Sequence, residues 1–201
     1  GACTNTDIWE IIEKGIPAEK VLPIGTVLTI PAAGSESSNS LVITNEDGWH
    51  KLGYGSNLLR PQFSILNPEL TYTLPFSQTA YGVSDMLAHV MERYFTNTQH
   101  VDVSDRMCEA VMRSIMDNAQ KVKADPNNYN NRAEIMWAGT VAHNDFIGLG
   151  REGDWASHNI EHELSAIYDI PHGAGLSIIF PAWMKYVYKN HMPRFIRFAL
   201  H

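Results

Sequence analysis

The sequence predicts an α/β remnant followed by an all-α segment. Three observations carry this. Residues 23–75 hold short β-rich runs closed by turn clusters. After Pro75 the apolar residues recur at helical spacing. The 201-residue chain is 44% hydrophobic and 18% charged, which is globular rather than disordered and enough for a substantial core. The boundary is set at 75, giving residues 1–75 and 76–201.

The first piece opens with a helix over residues 8–14. "GTVLTI" (25–30) reads as a strand stopped by Pro31. "SLVIT" (40–44), the turn cluster "NEDG" and "WHKLGYG" read as a hairpin. "QFSILN" (62–67) is a further short strand, closed by Asn67 and Pro68. In the second piece, Val83, Met86, Leu87, Val90, Met91 and Tyr94 line one face of a helix, with Ser77 as its N-cap. Met107, Val111, Ile115 and Met116 repeat the spacing in a second helix. "NRAEIMWAGTVAHNDFIG" is apolar nearly all round and predicts a helix buried on several sides. One helix through "DWASHNIEHELSAIY" and another over 172–188 complete the piece. There are few strands for a sheet, and "PRFIRFALH" reads as the middle of a helix, so a fragment of a longer enzyme is expected.

The totals exclude some classes. A net charge of -7 disfavours a nucleic-acid backbone as partner. The most apolar run, "GAGLSIIFPAWM", is too short for a bilayer. "GACTNTDIWEII" shows no basic segment followed by an apolar core, so no signal peptide is expected. Cys3 and Cys108 form no CxxC pair, which argues against a disulfide framework and for a reducing, cytoplasmic setting.

Histidine is the informative residue type, with nine in the chain. Asp85 and His89, four apart on one helix, share a face. His158, Glu161, His162 and Glu163 lie on a second helix, with His172 beyond it. Each cluster alone could be a polar helix face. Together they offer one carboxylate and three or four imidazoles, a sound set for Fe2+, Zn2+ or a similar divalent ion. "HNIEH" also matches the inverzincin pattern, with His158 and His162 as zinc ligands and Glu161 as base. That zinc-peptidase reading needs a further ligand, and none of the 29 residues after His172 is acidic. It also leaves Asp85 and His89 without a role. "GLGREG" (148–153) matches G-x-G-x-x-G but follows no buried strand, so it reads as a loop between helices.

"LPIGTVLTIPAAGSESS", "NPELTYTLP", "GVSDMLAHVMERY", "GDWASHNIEHELSAIYDIPHG" and "IIFP", in this order over nearly the whole chain, resemble the iron-dependent (group III) alcohol dehydrogenases. The nearest subgroup is the NADPH-dependent butanol dehydrogenase and broad-range aldehyde reductase type. The resemblance implies a dehydroquinate synthase-like architecture and hydride transfer between NADP(H) or NAD(H) and a small aldehyde or alcohol. It implies Asp85, His89, His158 and His172 as metal ligands, and His162 as a catalytic group beside nicotinamide and substrate. Thr29, Ser35 and Lys51 match cofactor-contacting positions, and His172 lies close enough to the cofactor to join them. Ala33 stands where the family has a threonine, so one hydroxyl contact is lost. The family's N-terminal glycine–serine loop for the pyrophosphate has no match here, and a fragment inactive on its own is the remaining alternative. The resemblance also implies a homo-oligomer.

Overall fold

A computed structural model of the chain describes residues 2–201. A short helix, α1 (Ile8–Glu13), is capped by Asp7, whose side chain accepts from the Trp9 N–H. Two small sheets follow. Strand β1 (Gly25–Val27) pairs in parallel with β4 (Phe63–Ile65). Strands β2 (Ser40–Asn45) and β3 (His50–Gly55) form the antiparallel hairpin around the 45–50 turn, with Lys51 opposite Thr44.

The β1 and β4 pair is shorter than the sequence runs 25–30 and 62–67 suggest. Regular pairing ends after Val27, with one more ladder bond from the Leu28 N–H to the Ile65 carbonyl. Pro31 has no N–H to extend it.

The helical piece contains α2 (Phe76–Tyr94), α3 (Asp102–Ala124), α4 (Tyr129–His143), α5 (Ala156–Tyr168), α6 (His172–Val187) and α7 (Met192–Leu200). The expected cap at Ser77 is not observed. Pro75, with φ of -54°, takes the cap position without a side-chain bond, and its carbonyl accepts from the Gln78 and Thr79 N–H groups. Its fixed φ sets the start of the helix two positions earlier than Ser77 would.

Helix α4 is also shorter than "NRAEIMWAGTVAHNDFIG" suggested. Asp145 adopts φ of 71°, which a helix cannot continue through, and only a 3-10 turn (Phe146–Gly148) follows. The glycine-rich stretch after it is a connection between α4 and α5, as the sequence indicated.

Helix α2 is the centre of the piece and packs on α3, α4, α5 and α6. Its Met86, Ala88, Val90 and Tyr94 are fully buried, joined by Ile115, Ile135, Ile147, Leu176 and Phe180 from its neighbours. At 25–30 cal/mol per Å2, each of the larger aliphatic and phenyl side chains contributes about 1.5–3 kcal/mol. Phe95, Phe180, Trp183, Phe195 and Phe198 form an aromatic cluster that holds α6 and α7. Helix α7 is fixed further by Arg197 on Glu109 and Arg194 on Asp105.

Two close approaches decide where the site lies. A Cβ at Gly82 would overlap the Pro31 carbonyl, so glycine there lets the 31–34 loop lie against α2. A Cβ at Gly173 would overlap the Tyr81 carbonyl, so glycine there lets the start of α6 press onto α2. Among the described residues no helix is long and apolar enough to cross a membrane.

Candidate metal centre

Asp85 and His89 project from the middle of α2, His158 from the first turn of α5, and His172 is the first residue of α6. The chain thus brings all four together. The Nε2 atoms of His89, His158 and His172 lie 3.6, 3.7 and 3.6 Å from one oxygen, Asp85 Oδ1. These separations are too long for hydrogen bonds. They are close to the roughly 3.4 Å that separates two ligands bound tetrahedrally at about 2.1 Å. Asp85, His158 and His172 offer ligand atoms that are all within 4.8 Å of one another, and His89 joins them through the contact with Asp85.

Asp85 is only 3% exposed, yet its Oδ1 has no hydrogen-bond partner, and neither does His158 Nε2. Buried, unpaired polar atoms cost about 1–3 kcal/mol each. Those two atoms, with the Nε2 atoms of His89 and His172 turned to the same carboxylate oxygen, make a donor set that fits a divalent cation in charge and type: one carboxylate oxygen and three imidazole nitrogens.

Two glutamates set the orientation of the rings. Glu92, fully buried on α2, accepts from the His158 N–H at 3.0 Å and sits 2.9 Å from His158 Nδ1 with the same Oε1. Glu161, also fully buried, holds His172 Nδ1 through Oε2. A carboxylate can only accept, so each Nδ1 carries the proton and each Nε2 is left free to face Asp85. This removes Glu161 as the free base that the zinc-peptidase reading requires. The zinc-peptidase ligand pair also fails to stand alone, because His158 faces Asp85 and His172.

The imidazoles differ electrostatically. Burial, helped by His143, His158 and Arg93, pushes His89 well below the usual histidine range. Burial acts in the same direction on His158, but Asp85 and Glu92 outweigh it and raise that histidine. His162, half-buried with its ring 5.2 Å from that of His172, is lowered to about 4 by burial and then by His172 and Lys51.

Lys51 Nζ donates to Ser165 Oγ at 2.6 Å, which draws the hairpin lysine to α5 one turn beyond His162. Thr29 and Ser35 are exposed, on either side of the buried Pro31 and Gly34.

Sequence reasoning missed two residues, Glu92 and His143, and gave Glu161 no part in holding a ligand. Glu92 is three positions after His89 on the same helix, a signal that the D-x-x-x-H spacing could have been extended to include. Glu161 is visible in the sequence, but only the zinc-peptidase alternative gives it a role there. His143, at the end of α4, stacks on His89 with ring centroids 3.9 Å apart and an interplanar angle of 24°; no local pattern marks it.

The chain is similar to known proteins over nearly its whole length. Residues 79–201 match the Fe-containing alcohol dehydrogenase family, C-terminal, and residues 2–68 match iron-containing alcohol dehydrogenase. The probable NADH-dependent butanol dehydrogenase 2 of Bacillus subtilis is 47% identical over 195 residues, covering 97% of this chain and 50% of that protein. The NADPH-dependent aldehyde reductase YqhD of Escherichia coli is 39% identical, covering 89% and 46%. The crystal structure of NADH-dependent butanol dehydrogenase A from Thermotoga maritima superposes with a TM-score of 0.94 at 44% identity, covering 98% of this chain and 49% of that one. The chain spans about half the length of the curated relatives it matches. With both stretches matched and the aspartate and histidines gathered at the junction of α2, α5 and α6, the chain belongs to the iron-containing alcohol dehydrogenase family.

Proposed function

We propose that this chain carries the metal-holding part, and some dinucleotide contacts, of an NAD(P)H-dependent alcohol dehydrogenase or aldehyde reductase acting on small substrates. The observation that carries the reading is the meeting of three imidazole Nε2 atoms on the unpartnered Asp85 Oδ1. Asp85, His89, His158 and His172 would hold the divalent ion, Fe2+ or Zn2+. When bound, that ion supplies Lewis acidity toward the substrate oxygen, and the dinucleotide supplies or takes the hydride.

The chain's own groups have separable roles. Asp85 gives the site its negative charge. Glu92 and Glu161 fix the tautomers of His158 and His172. His162 is kept neutral at pH 7 by burial, so one ring nitrogen can accept a proton and pass it on. Its ring, 5.2 Å from that of His172, supports a place for that nitrogen beside the reacting groups. Lys51, Thr29 and Ser35 contact the dinucleotide, with His172 at the nicotinamide end. The relatives include proteins named for NADH and for NADPH, so both dinucleotides are kept.

The division at residue 75 is supported by the two matched stretches, 2–68 and 79–201. Two free cysteines support a reducing, cytoplasmic setting. A homo-oligomer is our reading of the longer enzyme, tested by light scattering.

Elemental analysis of the chain, together with NADPH consumption in the presence of butanal, tests the proposal. One equivalent of a divalent metal that is lost on replacing Asp85 with alanine supports it. Metal retained at full stoichiometry in Asp85→Ala overturns the ligand assignment. Metal without turnover would assign these residues to the centre and the remaining dinucleotide contacts to a segment outside them.

A further inference from the structure

His143 is absorbed by none of the roles above, yet it touches both halves of the site. It is the last residue of α4. Its ring stacks on His89, and His89 in turn stacks on His158 at 4.8 Å and 22°. The three imidazoles therefore form one continuous column, with His143 as its outer plate. Its nitrogens are both engaged. Arg93 Nη2 lies 3.3 Å from Nδ1, and Ser40 Oγ lies 3.3 Å from Nε2. A guanidinium can only donate, so Nδ1 is the acceptor and Nε2 carries the proton toward Ser40. In that tautomer His143 has no free lone pair for a cation.

The same side chain meets the loop that includes Ser35. Gly34, at φ of 66°, lies so close that a Cβ there would be 2.8 Å from His143 Cβ. Ser40, at the start of β2, also takes part in the loop, pairing with Ser38 Oγ at 2.7 Å. On its other side, Arg93 is buried and fixed by Asp145 at 2.9 Å. His143 is thus held by a rigid ion pair below and by the 34–40 loop above.

We propose that His143 is a positioning residue that sets the ring of His89 and ties it to the 34–40 loop, so that occupancy of the metal site and ordering of that loop are coupled. This rests on the metal-site reading above. The physical reason is that His89 has no backing carboxylate. His158 has Glu92 and His172 has Glu161, whereas His89 Nδ1 is buried without a partner. The stack replaces the hydrogen bond as the device that orients the ring. Rotating His89 away from Asp85 would require its plate to move, and the plate is fastened to Ser40 and Gly34.

The test uses Co2+ alone as the probe, followed by its visible d–d absorption, with amide hydrogen exchange of the loop measured in parallel. In the wild-type chain Co2+ should slow exchange across the loop, at the Ser37, Ser38 and Ser40 amides, by about fivefold or more, the lower end of usual coupling between sites. His143→Leu should weaken Co2+ binding about tenfold, as loss of a supporting group around a metal does, and abolish the Co2+-dependent slowing. Ser40→Ala, at an exposed position, should keep Co2+ affinity within about twofold and still reduce the slowing; this variant decides the matter if His143→Leu does not fold. A role in stability alone would lower the melting temperature but leave the Co2+-dependent change intact. Failure of the wild-type chain to bind Co2+ overturns the metal reading itself. Binding of Co2+ with unchanged loop exchange, or unchanged slowing in both variants, overturns the role of His143 while leaving the metal centre standing.

Discussion

Replacing Glu92 with alanine gives the sharpest test of how the centre is held. One oxygen of this fully buried carboxylate serves two groups of the same residue, the His158 N–H at 3.0 Å and Nδ1 at 2.9 Å. Alanine leaves both donors buried with no acceptor. At about 1–3 kcal/mol for each unsatisfied donor, the loss of stability is about 2–6 kcal/mol before any cavity cost. It also frees the His158 ring to turn, and loss of such a partner typically lowers metal affinity about 10- to 100-fold.

Glutamine separates the two effects. It keeps the shape and an acceptor oxygen. Its amide nitrogen would replace Oε2, which has no partner in the structure. Glu92→Gln should therefore lose less stability in metal-free unfolding than Glu92→Ala and weaken metal binding less than alanine does. Urea unfolding of the metal-free chain, with calorimetric titration of Zn2+, reads both quantities. If Glu92→Ala binds Zn2+ as tightly as wild type and unfolds at the same urea concentration, the orienting role is refuted.

Four further outcomes follow from the same geometry. His158→Ala should lose bound metal and activity together, shown by elemental analysis beside turnover in the intact enzyme. His162→Ala should retain the metal and slow turnover; loss of metal there would restore the peptidase-like ligand pair. Gly173→Ala pushes a side chain into the Tyr81 carbonyl and moves His172 with the start of α6, so it should destabilise by about 3 kcal/mol and weaken Zn2+ binding, measured by thermal melting and titration. Cys108 is fully buried and its thiol is pushed up to about 11, first by burial, so at pH 8 a thiol reagent should label Cys3 alone and reach a second thiol only in denaturant.

The helices were legible because their burial follows the 3.6-residue period of their own sequence. Met86, Val90 and Tyr94 show it, and so does the Asp85 and His89 spacing within α2. What failed lay where the backbone decides and side-chain pattern does not. Asp145 in the left-handed region ends α4, and Pro75 starts α2 without a capping side chain. At the site, four residues could be gathered from spacing and resemblance. Glu161 has no role in the metal reading from sequence, because its chemistry depends on which way it points, and it points to His172, eleven positions on. His143 could not be read at all. Its neighbours, His89 and Ser40, are 50 and more positions away, so only the folded chain brings them together.

The contacts between the two pieces of the chain converge on this same region. Lys51 reaches Ser165 beside His162, Arg60 reaches Asp145, Thr140 donates to Glu36 at 2.6 Å, and His143 meets Ser40. These are polar links, each worth about 0.5–1.5 kcal/mol net for a neutral pair and more where a charge takes part. An interface built on apolar area would tolerate small slides, because burial is not directional. Hydrogen bonds of fixed length and angle do not tolerate them. The hairpin and the 31–40 loop are thus keyed in register to α4 and α5, and with them to His89 and His158. For a hydride transfer that is the economical place for rigidity. Lys51, Thr29 and Ser35, proposed to contact the dinucleotide, lie on a different piece from the groups proposed to hold the metal, and the reaction depends on the distance between them staying constant.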